Sequence, residues 1–291
     1  MKKIYKFSGA GNDFVVIDGR EGDVSAFREV PRIEALCKEF KTDGLMILGP
    51  ALRQAQGPVG ELVEPQGPAV DFTMEFYNPD GSGGMMCGNG GRCIVAFADY
   101  LGIKPASGSV FLFMAPDGLH TGEILERPDG STGSPTDRWI VRIKMIDVQG
   151  ITPLLGGYFL NTGTRHFVKF VDDVEQVDVD AEGKALRWNE AFAPIGTNVN
   201  FVHVAPDGLH VRTFEKGVEG ETLACGTGLT ACALVAHHAG VPTATPGAYR
   251  LRARQDWLSV NFTPGADEKF TDVYLTGPAR LVRISPSRPP Q

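Results

Sequence analysis

Cysteine is scarce in this chain: five in 291 residues, an odd and dispersed set that excludes a disulfide-stapled scaffold. Free thiols in a reducing cytoplasm are the expectation. No apolar run reaches the ~20 residues of a membrane span, and the opening Met1-Lys2-Lys3-Ile4-Tyr5-Lys6-Phe7-Ser8 lacks the apolar stretch of a secretory signal. Positive charge is not in excess either. The formal net charge of −7 favours neither nucleic acid nor an acidic membrane as partner. The Gly-x-Gly turns lack the spacing and downstream carboxylate of a dinucleotide fingerprint. The pairs Cys87/Cys93 and Cys225/Cys232 are too widely spaced for structural zinc, and no lysine motif for pyridoxal phosphate is present. Neither a metal nor a cofactor is expected.

What is present is a pair of related segments. Met86-Cys87-Gly88-Asn89-Gly90-Gly91-Arg92 and Ala224-Cys225-Gly226-Thr227-Gly228-Leu229-Thr230 each set a cysteine in a glycine turn that opens an apolar helical pattern. A helix N-terminus offers unpaired N–H groups and the positive end of the helix dipole. There a carboxylate can be held, and a thiol is expected to ionise more readily than usual. Two such turns facing each other would grip one carboxylate between two thiols. That arrangement can take a proton from one face of a carbon and return one to the other. Cys37, Cys93 and Cys232 fall inside apolar helical patterns and read as small buried hydrophobes.

The length suits two domains better than one core. A helix is expected over 31–40, and strands over 44–48, 70–77, 111–114, 139–148, 199–204 and 211–214. The stretch 51–69, with Gln-Gly-Pro at 56–58 and again at 66–68, reads as an exposed inserted loop, and 127–137 as a connecting loop. Aligning Phe14 with Phe167 sets an offset of 153 residues, whereas the cysteines set 138; the difference of 15 approaches the 19 residues of the insert. An internal duplication is expected. Ala-Pro-Asp-Gly-Leu-His, at 115–120 and 205–210, breaks that offset and reads as two hairpin turns unrelated to the duplication.

Taken together, Gly11-Asn12-Asp13-Phe14, Asn78-Pro79-Asp80-Gly81-Ser82, Cys87-Gly88-Asn89-Gly90, His166-Phe167-Val168, Asn198-Val199-Asn200-Phe201 and Gly220-Glu221-Thr222-Leu223-Ala224-Cys225-Gly226-Thr227-Gly228 resemble the diaminopimelate epimerase family. The likeness extends over nearly the whole chain outside 51–69. It implies an α+β fold of two similar domains, each a curled mixed sheet or barrel around a central helix, with the active site in the cleft between them. The domains would span 1–146 and 147–272, with 273–291 returning to the first. It implies cofactor-independent epimerisation of LL-2,6-diaminopimelate to the meso form, a step toward lysine and peptidoglycan precursors, in a cytoplasmic homodimer.

Carried residue by residue, the likeness makes Cys87 and Cys225 the acid/base pair. His166 and Glu215 would tune their pKa values. Asn12, Asn78, Gly88, Asn89, Thr164, Asn198, Glu215, Lys216, Gly226 and Thr227 would contact substrate. Thr164-Arg165-His166 stands where the family commonly has Asn-Pro-His, and Glu215-Lys216-Gly217 where it has Glu-Arg-Gly. Lys216 keeps the charge for a distal carboxylate but loses the guanidinium fork. Gly44 replaces a contacting glutamine of some members, and Arg283 a tyrosine at the dimer contact. Taken alone, Asn12 and Asn78 are equally well explained by turn chemistry. Two other readings stay open on the sequence: a two-cysteine racemase of a different amino acid, and an amino-acid-binding protein without catalysis.

Overall fold

The computed structural model describes residues 2–52, 69–84, 86–130 and 137–286. Most of the 51–69 insert therefore lies outside the described residues, as do 131–136 of the loop read over 127–137 and the last five residues of the tail. Where the insert begins and ends, Leu52 and Val70 form an isolated antiparallel bridge.

The first half contains β1 (Lys3–Gly9), β2 (Asn12–Asp18), α1 (Val30–Phe40), β3 (Gly44–Gly49), β4 (Phe72–Tyr77), α2 (Gly88–Tyr100), β5 (Val110–Ala115), β6 (Gly118–Glu126) and β7 (Trp139–Lys144). Short strands β8 (Val148–Gln149) and β9 (Thr152–Leu154) lead to the second half. There follow β10 (Gly157–Asn161), β11 (Arg165–Phe170), α3 (Val179–Arg187), β12 (Asn198–Ala205), β13 (Gly208–Glu215), β14 (Gly220–Thr222), α4 (Gly226–His238), β15 (Ala248–Arg252), β16 (Trp257–Pro264) and β17 (Lys269–Pro286).

The duplication is written in the strand pairing. In the first half, β1–β2 is antiparallel, β2–β3 parallel, β3–β4 antiparallel, β4–β5 parallel, and β5–β6 and β6–β7 antiparallel. The second half repeats this order through β10–β11, β11–β12, β12–β13, β13–β15, β15–β16 and β16–β17. Strand β17 serves both halves. It pairs with β7 and then β1, closing the first half into a barrel, while its start pairs with β16 and β8 of the second. The two Ala-Pro-Asp-Gly-Leu-His segments form the β5–β6 and β12–β13 turns, Ala115 opposite Gly118 and Ala205 opposite Gly208. Those hairpins occupy different places in the repeat, as expected.

Burial follows from this closure. Strand β4 turns Phe72, Met74 and Phe76 inward, and β7 turns Trp139, Val141 and Ile143, a period of two. Helix α2 is threaded through its barrel and buried on all sides from Gly88 to Ala98. Helix α4 holds the same place in the second half and is buried from Gly228 to Ala236. That enclosure explains why the enclosed runs 93–98 of α2 and 229–236 of α4 carry no charged side chain on any face. Helix α1 lies outside, burying only Ile33, Leu36, Cys37 and Phe40. Cys37, Cys93 and Cys232 are all buried, in keeping with a packing role. Among the described residues, no helix is long and apolar enough to cross a membrane.

Candidate active site

The two helices meet at their N-termini. Cys87 is the N-cap of α2 and Cys225 that of α4, both with extended backbone. A Cβ added at Gly226 would lie 3.4 Å from Gly88 Cα, and Leu275 Cδ2 would stand 3.0 Å from a Cβ at either glycine. Glycine at both positions lets the two first turns pack directly against each other. The N–H groups of Gly88, Asn89, Gly226 and Thr227 fall in first turns, where no intrahelical acceptor exists. Asn89 ties the halves together: its Nδ2 donates to Ala224 O at 3.1 Å and also to Asn12 Oδ1.

The thiols differ in surroundings. Cys87 Sγ accepts from the Gly90 N–H at 3.1 Å, whereas Cys225 Sγ lies 3.5 Å from Thr227 Oγ1. Burial pushes the Cys87 thiol up to about 11, the Glu215 carboxylate adds to the rise, and the Gly90 N–H and Arg92 charge oppose it. Burial pushes Cys225 higher still, again reinforced by Glu215, and ionisation of Cys87 raises it further. The sequence predicts the opposite direction. Dipole and N–H groups do favour the thiolate, but enclosure between the two halves and a neighbouring carboxylate outweigh them.

Glu215 ends β13 with its carboxyl raised, first by burial and then by the charge of Asp43, while a hydrogen bond from Thr222 Oγ1 at 3.0 Å lowers it. His166 is fully buried in β11, and desolvation drops it to about 3, so it is neutral at physiological pH. Its tautomer follows from its neighbours. Asn200 Nδ2 donates to the Phe167 carbonyl at 3.1 Å, which fixes the amide orientation, and it reaches His166 Nδ1 at 3.1 Å. Nδ1 is therefore the acceptor and Nε2 carries the proton. Nε2 faces Thr164 Oγ1 at 2.9 Å and Thr227 Oγ1 at 3.0 Å. His166 thus reaches Cys225 through the Thr227 hydroxyl and not by direct contact.

Asn198 occupies the next rung. Its Nδ2 donates to Arg165 O at 2.9 Å and its Oδ1 accepts the Lys216 backbone N–H at 2.8 Å, tying β12 to the end of β13. Asn78 is engaged locally: its Nδ2 donates to Ser82 Oγ at 2.9 Å within the Asn78–Ser82 turn. At Gly44 a Cβ would stand 2.8 Å from Tyr77 O, so no longer side chain fits on this backbone. Arg283 lies with its guanidinium carbon 5.5 Å from the Phe40 ring centroid, on the outer part of β17. Two buried groups that shape the site, Arg92 and Asn200, drew no assignment from the sequence. The available signals were a charge inside an apolar helical run and an asparagine at an inward strand position.

Comparison with known proteins fits this geometry. The family profile described as diaminopimelate epimerase matches residues 158–282. A diaminopimelate epimerase from Chlorobaculum tepidum is 37% identical over 284 residues, covering 94% of this chain and 97% of that protein. One from Aquifex aeolicus is 38% identical, covering 94% of each. Among solved structures, a PhzF-family phenazine biosynthesis protein from Bacillus anthracis superposes with a TM-score of 0.70 at 10% identity, covering 98% of both chains. A probable proline racemase from Agrobacterium radiobacter gives 0.61 at 13% identity, covering 99% of this chain and 93% of that one. At those identities the likeness speaks for the duplicated fold alone, whereas the two epimerase relatives match over more than nine-tenths of both chains. On that evidence the chain belongs to the diaminopimelate epimerase family.

Proposed function

We propose that this enzyme interconverts LL- and meso-2,6-diaminopimelate by a two-base mechanism, without cofactor, on the route to lysine and peptidoglycan precursors. The observation that carries the reading is the abutment of two helix N-termini, each capped by a cysteine. The first-turn N–H groups of Gly88, Asn89, Gly226 and Thr227 would hold the α-carboxylate of the reacting centre. One cysteine, as thiolate, takes the α-proton. The electron pair left on carbon delocalises into the carboxylate, where N–H groups and dipole ends offset the developing charge. The other cysteine, as thiol, delivers its proton to the opposite face, and the two thiols exchange roles. Because each ionisation opposes the other, the pair titrates as one unit.

Specificity for a second amino-acid head group would rest on Glu215, Lys216, Asn78 and Asn198. Buried ionic groups of a substrate each need a partner, so substrates lacking the distal group should be poor. Thr164 and His166 would act on Cys225 through Thr227. We assign residues 1–146 and 147–272 to the two domains, with β17 as their shared strand. The chemistry requires reduced thiols, in keeping with a cytoplasmic enzyme. Val282 and Ile284, exposed beside Arg283 on β17, are the residues we place at a homodimer contact.

The test is turnover in D2O followed by chiral chromatography. Diaminopimelate should epimerise with solvent deuterium entering the product α-position, and Cys87→Ala or Cys225→Ala should abolish epimerisation in a folded protein. Faster turnover of lysine, alanine or another monocarboxylic amino acid than of diaminopimelate would replace this reading with a racemase of different substrate.

A further inference from the structure

Arg92 is the fifth residue of α2 and is fully buried, followed by Cys93, Ile94, Val95 and Ala96, which are equally enclosed. An arginine in that position is unusual, because a buried charge is expensive unless paired. Its hydrogen bonds go to neutral acceptors. Nη2 donates to Asn89 Oδ1 at 2.6 Å, Nη1 to Gly88 O at 3.2 Å, and Nε to Pro278 O at 3.4 Å. Among the described residues it forms no ion pair. The carboxylate whose charge acts on it, Asp256, is engaged with Arg280 at 2.8 Å. Burial lowers the guanidinium to about 10, which leaves it protonated at neutral pH.

Three neutral acceptors satisfy direction but leave the charge without a permanent counter-ion. Two of them, Gly88 O and Asn89 Oδ1, belong to the first turn of α2, whose Cys87 cap is within reach of the guanidinium field. By binding Asn89 Oδ1, the guanidinium also turns Asn89 Nδ2 toward Ala224 O and Asn12, the link between the halves. We infer that Arg92 is a positioning residue and the fixed cation of the site: it locks Asn89 across the junction of the two helices, and its counter-charge is the Cys87 thiolate and the substrate carboxylate of the working enzyme. The second part of this inference rests on the two-base reading above; the first does not.

Two substitutions separate charge from fork. In a Cys225→Ala background, iodoacetamide alkylation of Cys87 is followed against pH by mass spectrometry, a readout that needs no substrate. Arg92→Met should slow alkylation at fixed pH by about tenfold or more, since loss of a nearby cation shifts the thiol upward by a unit or more. Arg92→Lys, which keeps charge and loses the planar fork, should alkylate within about twofold of the parent. In the otherwise wild-type enzyme, Arg92→Lys should still lower kcat/KM for diaminopimelate by about tenfold, because Asn89 is no longer locked. Alkylation by the Met variant at the parent rate would overturn the inference. If that variant does not fold, Arg92→Lys decides: alkylation slowed tenfold removes the charge argument, and wild-type kcat/KM removes the positioning argument. Should the wild type fail to turn over diaminopimelate, the alkylation series still reports on Arg92 alone.

Discussion

Gly228→Ala tests whether the packing behind Cys225 sets the site. Gly228 is the third residue of α4, and a Cβ there would stand 2.4 Å from Asn200 Oδ1 and 3.3 Å from both Cys225 Cβ and His166 Cε1. Ordinary contact requires Asn200 to move by roughly 1 Å. Asn200 has little freedom, because Thr213 Oγ1 donates to its Oδ1 at 3.0 Å while its Nδ2 serves Phe167 O and His166, both at 3.1 Å. The displacement must break at least one of these. Overpacking costs ~1–3 kcal/mol, an orphaned buried polar group a further ~1–3 kcal/mol, and alanine's helix propensity returns at most ~1 kcal/mol. The net expectation is a loss of ~1–5 kcal/mol.

Gly88→Ala is the control. Its closest neighbour would be Leu275 Cδ2 at 3.0 Å, the end of a side chain that can turn aside. We expect its stability within ~1 kcal/mol of wild type by urea denaturation. Its turnover should stay within a few-fold of wild type as well, because the added methyl would meet Gly226 Cα only at 3.7 Å, an ordinary contact. Equal urea midpoints for the two variants would refute the claim that Asn200 is rigidly held behind the cysteine.

Three further outcomes follow from the same geometry. His166 is neutral when buried and drops to about 3 from an ordinary value near 6.5, so the unfolded chain gains protons first and stability should fall as pH drops from about 6.5 toward 3; urea midpoints of His166→Gln, though lower, should depend less steeply on pH in that range. Glu215→Gln removes the carboxylate that raises both thiols, so iodoacetamide alkylation of Cys87 should shift to lower pH, and a shift upward would contradict the assigned sign. Lys216→Ala should raise KM for diaminopimelate by about tenfold or more, while Lys216→Arg should stay within a few-fold, both read by steady-state kinetics.

The parts of this molecule that the sequence discloses are those fixed by local chemistry. A cysteine among glycines before an apolar run marks a helix start because nothing else satisfies that composition, and the doubling of the pattern exposes the repeat. Helix α3 escaped the sequence reading because it buries little: only Val179, Gly183 and Arg187 turn inward, and a Cβ at Gly183 would stand 2.4 Å from Phe214 Cβ. Its apolar signal is replaced by a close approach that only the folded partner explains. Parallel pairing of β13 with β15 joins segments separated by the whole of α4, and no local pattern announces it. The site shows the same limit. Cys87 and Cys225 were legible as a pair, but the direction of their ionisation depends on enclosure and on Glu215, which acts on both from the end of β13. The closure of Asn200 around His166 is likewise a contact between strands.

That direction bears on the reaction itself. A thiol at about 11 is thiolate in only roughly one molecule in ten thousand at neutral pH. The population penalty amounts to about 5 kcal/mol, yet a more basic thiolate is also the stronger proton acceptor, so part of it returns in the transfer step. A thiolate of ordinary pKa would be more abundant and a weaker base; one raised by desolvation is rarer and stronger. On the proposed mechanism the first-turn N–H groups and the Arg92 guanidinium would stabilise an anion whether it sits on sulfur or on the substrate carboxylate, and so ease movement of charge from one to the other. On this argument kcat/KM for diaminopimelate should climb with pH across 7 to 9, where the fraction of Cys87 thiolate grows about tenfold per unit. A profile flat from pH 7 upward, measured with substrate and product both followed by chiral chromatography, would mean that binding substrate itself expels the thiol proton and that the enclosed thiols of the free protein do not limit the rate.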